Sequence, residues 1–340
     1  MIFRSKAPLR IGLAGGGTDV SPYCDLYGGA ILNASISLYA YATIETIPTN
    51  EIIFEAIDRK ETARFPIQEF LTVDGHLDLA KGVYNHIVRE HGFLPSGFRL
   101  TTFVDAPAGS GLGTSSTLTV AILGAFSEWL KLPYGEYDMA HIAYEIERLE
   151  LKMAGGKQDQ YAATFGGVNF MEFYANDKVI VNPLRIKSVH LNELENNLLL
   201  YFTATSRLSS VIIEAQSKNV EENNTASIEA MHFLKEQSKM MKEALLKGNI
   251  DEIGPILDFG FKHKKQMAKG ISNNMLDELY EAALKAGATG GKITGAGGGG
   301  FMMFYCPGNA NYKVGEILSK LGGNLRSYQF TEKGLFTWSV

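Results

Sequence analysis

The sequence predicts an α+β fold with two domains, and three observations support this prediction. The chain has 340 residues, 45% of them hydrophobic, so it can bury two ordinary cores. Strand-like apolar runs and helix-like periodic patterns occur in both halves without a regular strand–helix–strand alternation. These patterns weaken around residues 182–197, in a segment that is rich in Pro, Arg, Lys and Asn. This stretch predicts a boundary between an N-terminal domain, residues 1–190, and a C-terminal domain, residues 191–340.

The first half contains most of the predicted strands, at residues 30–36, 40–47, 98–104, 167–173 and 178–181. Helices are predicted at 80–89, at about 115–131 and at about 137–153, and the second of these is apolar enough to be buried. In the second half, a strand at 198–202 precedes a long amphipathic helix whose buried face comprises Ile228, Met231, Leu234, Met241 and Leu245. A shorter helix, 273–286, has Ser272 as its expected N-cap and Gly287 as its expected C′ residue.

Charge and composition exclude several classes of protein. The formal net charge of −5 argues against a general nucleic-acid-binding protein, which needs a basic surface. The two cysteines, Cys24 and Cys306, have no CxxC spacing and fit a reducing compartment, and the scattered histidines predict no zinc site. No signal-peptide pattern and no apolar run of membrane-spanning length occur. We therefore expect a cytoplasmic protein that binds neither membrane nor nucleic acid, as a monomer or homodimer.

The sharpest glycine-rich segment is PAGSGLGTSS, residues 107–116, between a predicted strand and the buried helix. Its glycines allow the backbone to approach a ligand, and the first N–H groups of the helix attract phosphate. Ser115 and Ser116 could cap the helix or offer a hydroxyl to a phosphate-bound Mg²⁺. A glycine-rich turn with a serine cap is the structural alternative. The Walker pattern and GxGxxG are both absent, which disfavours a P-loop and a dinucleotide site.

Two further glycine-rich segments lie near the ends of the chain. KITGAGGGG at 292–300 has five glycines in six positions before an apolar run, a costly arrangement unless the backbone packs closely against something. A ligand or a close strand–helix crossing would both satisfy that requirement. KAPLRIGLAGGGTD at 6–19 ends on Asp19, a carboxylate suited to sugar hydroxyls, although a turn-forming role would also explain an aspartate there.

Taken together, the three segments resemble the signature motifs of the GHMP kinase superfamily, in the same order and spanning residues 6 to 301. Within it, AGGGTD at 14–19, GGAILNASI at 28–36, GKQDQYAATFGG at 156–167 and GGKITGAGGGGF at 290–301 are most similar to sugar 1-kinases that act on a heptose 7-phosphate. The resemblance implies a two-domain fold, with an N-terminal domain like domain 2 of ribosomal protein S5 and a C-terminal ferredoxin-like domain. It also implies ATP and Mg²⁺ as cofactors and a small sugar phosphate as substrate.

The resemblance assigns residues to each part of a phosphoryl-transfer site. The expected nucleotide-binding residues form the central loop: Pro107, Gly109, Ser110, Gly111, Leu112, Gly113, Thr114, Ser115 and Ser116. The expected metal ligands are Ser115, Ser116 and Glu147, and the expected catalytic residues are Asp159, Arg10 and Lys6. The expected substrate-binding residues are Gly16, Gly17, Thr18, Asp19, Gln158, Arg207, Gly297 and Gly298.

Structural alternatives stand beside the main assignments. Asp159 could be a helix N-cap, since it follows a glycine pair. Glu147 lies on a largely apolar flank of its predicted helix, where a carboxylate needs a metal or a salt bridge. Arg207 is the leading candidate for the sugar's existing phosphate, but it could equally be a solvated surface residue. The run Lys262, Lys264 and Lys265 is interpreted as a solvated helix face.

Three rival functions remain at this point. A GHMP kinase acting on fucose, galactose or a mevalonate-like acid shares the same motifs, although AGGGTD in place of GEHTD argues against galactose. A decarboxylating relative would also bind ATP. A catalytically silent protein of this fold is disfavoured by the presence of Asp159, Glu147 and the serine pair.

Overall fold

The computed structural model describes residues 1–92, 96–205 and 209–340, and these form two β-sheets with helices packed against them. In chain order the strands are β1 (Ile2–Ala14), β2 (Gly29–Thr46), β3 (Glu51–Ala56), β4 (Glu61–Pro66), β5 (Phe98–Val104), β6 (Val168–Phe173), β7 (Val179–Pro183), β8 (Leu198–Phe202), β9 (Gly290–Ile293), β10 (Phe301–Tyr305), β11 (Asn324–Leu325) and β12 (Phe336–Ser339).

The helices alternate irregularly with these strands. They are α1 (Tyr23–Tyr27), α2 (Asp78–His91), α3 (Thr114–Leu130), α4 (Glu136–Glu145), α5 (Gln158–Phe165), α6 (Ser188–Asn197), α7 (Ser209–Glu221), α8 (Thr225–Lys247), α9 (Ile253–Met267), α10 (Asn274–Ala286) and α11 (Ala310–Ser319). A π-helical turn, Ile146–Glu150, continues α4, and a 3₁₀ turn, Ile250–Glu252, precedes α9.

The first sheet has the order β12-β1-β2-β5-β3-β4, and β6 joins it by pairing with the early part of β2 and with β7. The long strand β2 pairs with β1 along one edge, and along the other edge its residues 29–34 pair with β6 and its residues 40–46 pair with β5. Only β3 and β5 run parallel within this sheet, and the second sheet, β11-β8-β10-β9, is antiparallel. The predicted α+β class is confirmed, since the antiparallel pairing does not require helical crossovers.

Each predicted strand and helix corresponds to an observed element, but several observed elements, among them β3, β4, β12, α6 and α11, were not predicted. Two differences have a local explanation. The predicted strands 30–36 and 40–47 are one strand, because no turn residue interrupts the apolar alternation between them. The prediction of Ser272 as an N-cap is wrong: the side chain of Asn273 accepts the hydrogen bond from the Leu276 backbone N–H. Gly287 ends that helix as expected, with its N–H bonded to the carbonyls of Ala283 and Leu284.

Helix α3 lies in the core of the first half, as its apolar composition predicts. Most of its residues from Ser116 to Phe126 are buried, and it packs on strands β1 and β2. This burial fixes the direction of the helix and therefore the position of its N-terminus. In the described parts of the chain, no helix combines the length and the apolar character needed to cross a membrane.

The predicted domain boundary between residues 190 and 191 falls inside α6, after the last strand that the first sheet receives from this half of the chain. The second sheet is built from residues 198–325, but β12 returns to the first sheet, where Phe336 to Ser339 pair with β1. The division at residue 190 stays a prediction. The sheet pairing adds that the C-terminal strand belongs structurally with the first half.

Candidate active site

A cleft of about 530 Å³ lies between the two halves of the chain, and loops from both halves line it. Glycine-rich loops contribute part of the lining because they let several backbone segments come close to one space. The first half contributes Arg10, Gly17, Asp19, Val20, Gly109, Gly111, Gly113, Thr114, Ser115, Ser116, Arg148, Lys152, Met153, Ala154, Gly155, Gly156, Gln158 and Asp159. The second half contributes Ser209, Ser210, Ile213, Glu214, Gln216, Lys264, Gly295 and Ala296.

The segment 107–116 leads from β5 to the N-terminus of α3, as the sequence predicts. Its residues Gly109, Gly111 and Gly113 and the first three residues of the helix line the cleft. The first N–H groups of α3 have no partners within the helix, so they and the helix dipole favour an anion there. Neither serine caps this helix, because Gly113 is the N-cap residue and no side chain bonds to the cap position. The serine-cap alternative is therefore excluded.

The remaining residues of this segment are supporting residues in the structure. Pro107 is exposed, and its carbonyl accepts a hydrogen bond from the N–H of Ser110. Ser110 and Leu112 are buried, and the carbonyl of Leu112 accepts a hydrogen bond from the backbone N–H of Arg10. This contact fixes the segment against strand β1.

The first and last glycine-rich segments meet the central one through their backbones. A Cβ atom on Gly111 would lie 2.7 Å from the carbonyl oxygen of Thr294, and a Cβ on Gly295 would lie 2.7 Å from the Cα of Gly111. Both glycines also have a positive φ, 80° and 63° respectively. Any side chain at either position would push the loops apart. Close backbone approach thus explains the glycines on both sides of the cleft.

Asp159 and Arg10 form an ion pair at the centre of the cleft. The Nε of Arg10 donates to Oδ1 of Asp159 at 2.6 Å, and its Nη1 donates to the carbonyl of Gly111 at 2.7 Å. The Arg10 side chain is 4% exposed and that of Asp159 is 21% exposed, so the carboxylate keeps a face toward the cleft. Asp159 is the second residue of α5 and Lys157 is its cap position, so the N-cap alternative for Asp159 does not hold.

Asp19 is the second carboxylate of the cleft and is 2% exposed. Its Oδ2 accepts a hydrogen bond from the backbone N–H of Gln158 at 3.0 Å, so it is held across the fold rather than in a local turn. Burial and the nearby Asp159 raise its pKa, while that hydrogen bond opposes the change. A Cβ on Gly156 would lie 1.9 Å from Oδ2 of Asp19, which explains why a glycine precedes Lys157.

Glu147 is fully buried beside the N-terminus of α3, on the π-helical turn. Its carboxylate accepts a hydrogen bond from Oγ of Ser115 at 2.9 Å and one from Nε2 of Gln160 at 2.6 Å. The same amide nitrogen of Gln160 donates to Oγ of Ser116 at 3.1 Å. Nη2 of Arg148 lies 3.9 Å from Oε2 of Glu147, a long ion pair between two largely buried side chains. The predicted salt bridge of Glu147 is therefore present beside its hydrogen bonds to Ser115 and Gln160.

These residues fit a Mg²⁺ ion held together with phosphate oxygens. One buried carboxylate and two serine hydroxyls supply oxygen donors, and Mg²⁺ in phosphoryl-transfer sites uses one or two carboxylates plus substrate phosphates. The Oε1 atom of Gln160 is also buried without a hydrogen-bond partner, so the cluster has unused acceptor capacity. No group of three or more His, Cys, Asp or Glu side chains suited to a metal occurs within the described residues, and a site of this type needs none.

Lys264 reaches the cleft from the second half and was misinterpreted from the sequence. It is 2% exposed, and its ammonium donates to the carbonyls of Gly295 at 2.8 Å and Gly16 at 3.3 Å. The expected solvated face holds only for Lys262 and Lys265, which pair with Asp258 and Asp277. A signal for this position was present, since Lys264 continues the buried stripe of α9: Ile253, Ile256, Leu257, Gly260, Phe261 and Met267.

The other sequence-predicted residues are distributed differently. Gly17 and Gln158 line the cleft, and Oε1 of Gln158 is buried without a partner. The hydroxyl of Thr18 bonds to the carbonyls of Gly15 and Ala30 and so ties the first loop together. Arg207 lies outside the described residues.

Two predictions made for residues near the ends of the chain differ from their placement. The ammonium of Lys6 lies 4.9 Å from the ring centre of Tyr39, and Lys6 is not part of the cleft lining. Gly297 and Gly298 are buried against Ile271, whose carbonyl oxygen accepts a hydrogen bond from the N–H of Gly298 at 2.8 Å. Gly295 and Ala296 line the cleft in their place. The second part of this glycine run thus packs closely against the segment between α9 and α10, and not against a helix as the strand–helix alternative expected.

A second pocket of about 440 Å³ adjoins the cleft and was not expected from the sequence. It shares Gly109, Thr114, Ser115 and Met153 with the cleft, so it opens at the same loop. Its further lining is mostly apolar: Ala56, Val73, Leu77, Leu79, Ala80, Val104, Ala106, Ala108, Leu118, Ile122 and Leu151. A flat apolar group joined to a phosphate chain would fit this pair of spaces.

Comparison with known proteins relates this cleft to one family. The model of the GHMP kinases N terminal domain matches residues 78–167, and that of the GHMP kinases C terminal domain matches residues 241–324. The D-glycero-alpha-D-manno-heptose 7-phosphate kinase of Campylobacter jejuni is 45% identical over 337 residues, which cover 99% of each chain. The two matched regions include the phosphate loop, Asp159 and Lys264.

Two solved structures are similar along their whole length. A D-glycero-D-manno-heptose 1-phosphate kinase from Bacteroides thetaiotaomicron is 46% identical, with a TM-score of 0.85 and 99% of each chain covered. A putative sugar kinase from Campylobacter jejuni is 45% identical, with a TM-score of 0.82, 100% of this chain and 98% of that chain covered.

Proposed function

Because this chain belongs to the GHMP kinase family and is a sugar kinase, we propose that it phosphorylates the anomeric hydroxyl of D-glycero-D-manno-heptose 7-phosphate, with ATP as donor. The product would be the 1,7-bisphosphate, an intermediate toward nucleotide-activated heptose. The observation that carries the proposal is the position of the Asp159 carboxylate. It lies beside the phosphate loop, since a Cβ on Gly113 would lie 3.2 Å from its Oδ2, and it faces the same cleft as Asp19.

The nucleotide would occupy both spaces that meet at the phosphate loop. The apolar pocket suits the base, and the N-terminus of α3 suits the phosphates because its free N–H groups and its dipole attract anions. Ser115, Ser116 and Glu147 would hold Mg²⁺ there, as would the phosphate oxygens. When bound, Mg²⁺ neutralises charge that develops on the phosphoryl oxygens.

Asp159 would orient the attacking hydroxyl and accept its proton. Phosphoryl transfer passes through a loose transition state, so orientation contributes as much as proton removal. Arg10 holds the carboxylate in place beside the phosphate loop by its hydrogen bond to Oδ1. The buried carboxylate of Asp19 would bind sugar hydroxyls on the same side of the cleft, since it retains acceptor capacity beyond its bond to the Gln158 N–H.

ADP release across a panel of acceptors tests this function. The panel contains D-glycero-D-manno-heptose 7-phosphate, the unphosphorylated heptose, the heptose 1-phosphate, mannose 6-phosphate, fucose, galactose and mevalonate. We include the 1-phosphate because the two named heptose kinases differ in the phosphate position that their names give. Preference for the 7-phosphate by kcat/KM is the expected result. Turnover of fucose or mevalonate alone would refute the substrate, and ATP binding without turnover would favour a silent protein. A cytoplasmic location and a monomeric or dimeric state remain predictions.

A further inference from the structure

The ammonium of Lys264 is a buried cation at the acceptor end of the cleft. Its two hydrogen-bond partners are neutral carbonyls, those of Gly16 and Gly295. No carboxylate in residues 1–92, 96–205 or 209–340 forms an ion pair with it, whereas Lys262 and Lys265 on the same helix both have one. A buried charge without a counter-ion is unfavourable, and an ammonium has three N–H donors. The ammonium of Lys264 therefore has its positive charge and one N–H donor available for a ligand.

Gly16 keeps the space in front of this ammonium open. Its φ is not positive, so its backbone conformation would accept other residues. A Cβ at this position would lie 3.5 Å from the Nζ of Lys264, in van der Waals contact. What the glycine preserves is thus access to the ammonium. A longer side chain here would fill that access, and an acidic one would supply the missing counter-ion.

The other cations that line the described part of the cleft are engaged elsewhere or exposed. Arg10 pairs with Asp159. Arg148 donates to the carbonyl of Gly156 and to the hydroxyl of Ser116, on the metal side of the phosphate loop, and Lys152 is exposed. Lys264 instead bonds to the carbonyls of Gly16 and Gly295, and the charge of Asp19 raises its pKa against the effect of burial. It therefore belongs to the side of the cleft where the sugar would bind.

We propose that Lys264 binds the phosphate group that the acceptor sugar already carries, with Gly16 providing the room for that phosphate. This assignment rests on the proposed function and deepens it, because it names the residue that distinguishes a sugar phosphate from a free sugar. The recognised chemistry is a phosphate dianion, and the γ-phosphate of ATP is the other source of one in this cleft. The experiment separates the two sources.

The test compares wild type with Lys264→Met, which keeps the stem and removes the charge, and with Lys262→Met as control. Lys262 lies on the same helix, its side chain is 68% exposed, and its ion pair within the described residues is with Asp258. For each protein, kcat/KM is measured with heptose 7-phosphate and with the unphosphorylated heptose, along with KM for ATP and stability in urea. We expect Lys264→Met to lower the phosphorylated-to-free preference about 10- to 100-fold, the range for a charged hydrogen bond. Lys262→Met should leave the preference unchanged.

Gly16→Asp is a second variant that leaves the lysine in place. It offers a carboxylate to the ammonium and should reduce the same preference, whereas Gly16→Ala should reduce it less. If Lys264→Met folds poorly, this pair still decides the assignment. An unchanged preference in Gly16→Asp would overturn it.

The pH dependence of the phosphorylated-to-free preference is a further readout, because a purely structural role of Lys264 would not change it. Burial lowers the pKa of Lys264 to about 8, with Asp19 opposing and Arg10 reinforcing the change. Lys292, which bonds to the carbonyl of Gly12, is the other cation nearby. The ammonium is present below that pKa and lost above it, so the preference should fall as the pH rises from about 8 to about 9.5. In Lys264→Met it should not change over this range.

The outcomes separate the assignment from the function on which it rests. Wild type that turns over neither heptose refutes the proposed function and the assignment with it. If wild type prefers the phosphorylated heptose but Lys264→Met loses activity equally on both acceptors, the assignment of Lys264 is overturned and the proposed function stands. A variant whose main defect is a higher KM for ATP points to the γ-phosphate and also overturns it.

Discussion

Replacing Asp159 with asparagine removes one charge from the centre of the cleft and little else. The amide oxygen can still accept the hydrogen bond that Arg10 donates at 2.6 Å, and the side chain keeps its size. What disappears is an acceptor that can take a proton and the charge that offsets the guanidinium. The perturbation therefore acts on the chemistry more than on the packing.

The expected magnitudes for activity and stability differ enough to be separated. Losing a positioned general base lowers turnover by about 10²- to 10⁴-fold, which corresponds to about 2.7–5.5 kcal/mol of transition-state stabilisation. Removing one partner of a fully buried ion pair costs about 3–5 kcal/mol, but here the hydrogen bond persists and the carboxylate is 21% exposed. We expect the variant to lose only about 1–2 kcal/mol of unfolding free energy.

The assay measures kcat and KM for both substrates together with urea unfolding. Asp19→Asn is the matched control, since Asp19 also lines the cleft and is assigned to sugar binding rather than to proton transfer. Asp159→Asn should lower kcat with little change in the KM for ATP, and Asp19→Asn should mainly raise the KM for the sugar. An Asp159→Asn enzyme with kcat within about threefold of wild type would refute the catalytic role. So would a kcat loss fully accounted for by unfolded protein.

Three further predictions concern the surroundings of this carboxylate. Gly156→Ala should raise the KM for the sugar at least about tenfold, because the new Cβ would lie 1.9 Å from Oδ2 of Asp19; an unchanged KM in steady-state assays would contradict the role of Asp19. Glu147→Gln keeps the contacts to the neighbouring hydroxyl and amide but loses the charge. It should raise the Mg²⁺ concentration for half-maximal activity about tenfold or more, and an unshifted magnesium titration would contradict the metal assignment. Arg10→Met should lower kcat about 100-fold or more, because Arg10 bonds to the carboxylate of Asp159. Lys6→Met should keep kcat within about threefold of wild type, because the Lys6 ammonium lies over the ring of Tyr39 instead. Equal losses in both variants would show that Lys6 acts in catalysis.

Local patterns of the sequence were enough to predict several strands and helices, but not β3, β4, β12, α6 or α11. Strands β5 and β8 were predicted with their observed bounds, and the buried helix α3 to within a residue at each end. The three glycine-rich segments were identifiable because backbone that must bend or approach closely needs glycine wherever it occurs. The resemblance of these segments to one family then predicted the fold and the kinase activity.

Tertiary structure decided which side chains meet in the cleft. Arg10 and Asp159 are 149 residues apart, and the contact of Lys264 with Gly16 spans 248 residues, so no local pattern relates them. Lys264 belongs to a charged run in the sequence, but it is a buried cation of the cleft because the packing of α9 turns this residue inward. Likewise, β12 joins the first sheet because its backbone pairs with β1, a choice that short polar-apolar alternation does not encode. Backbone conformation is specified by neighbouring residues, whereas the convergence of side chains depends on sheet register and helix packing across the whole chain.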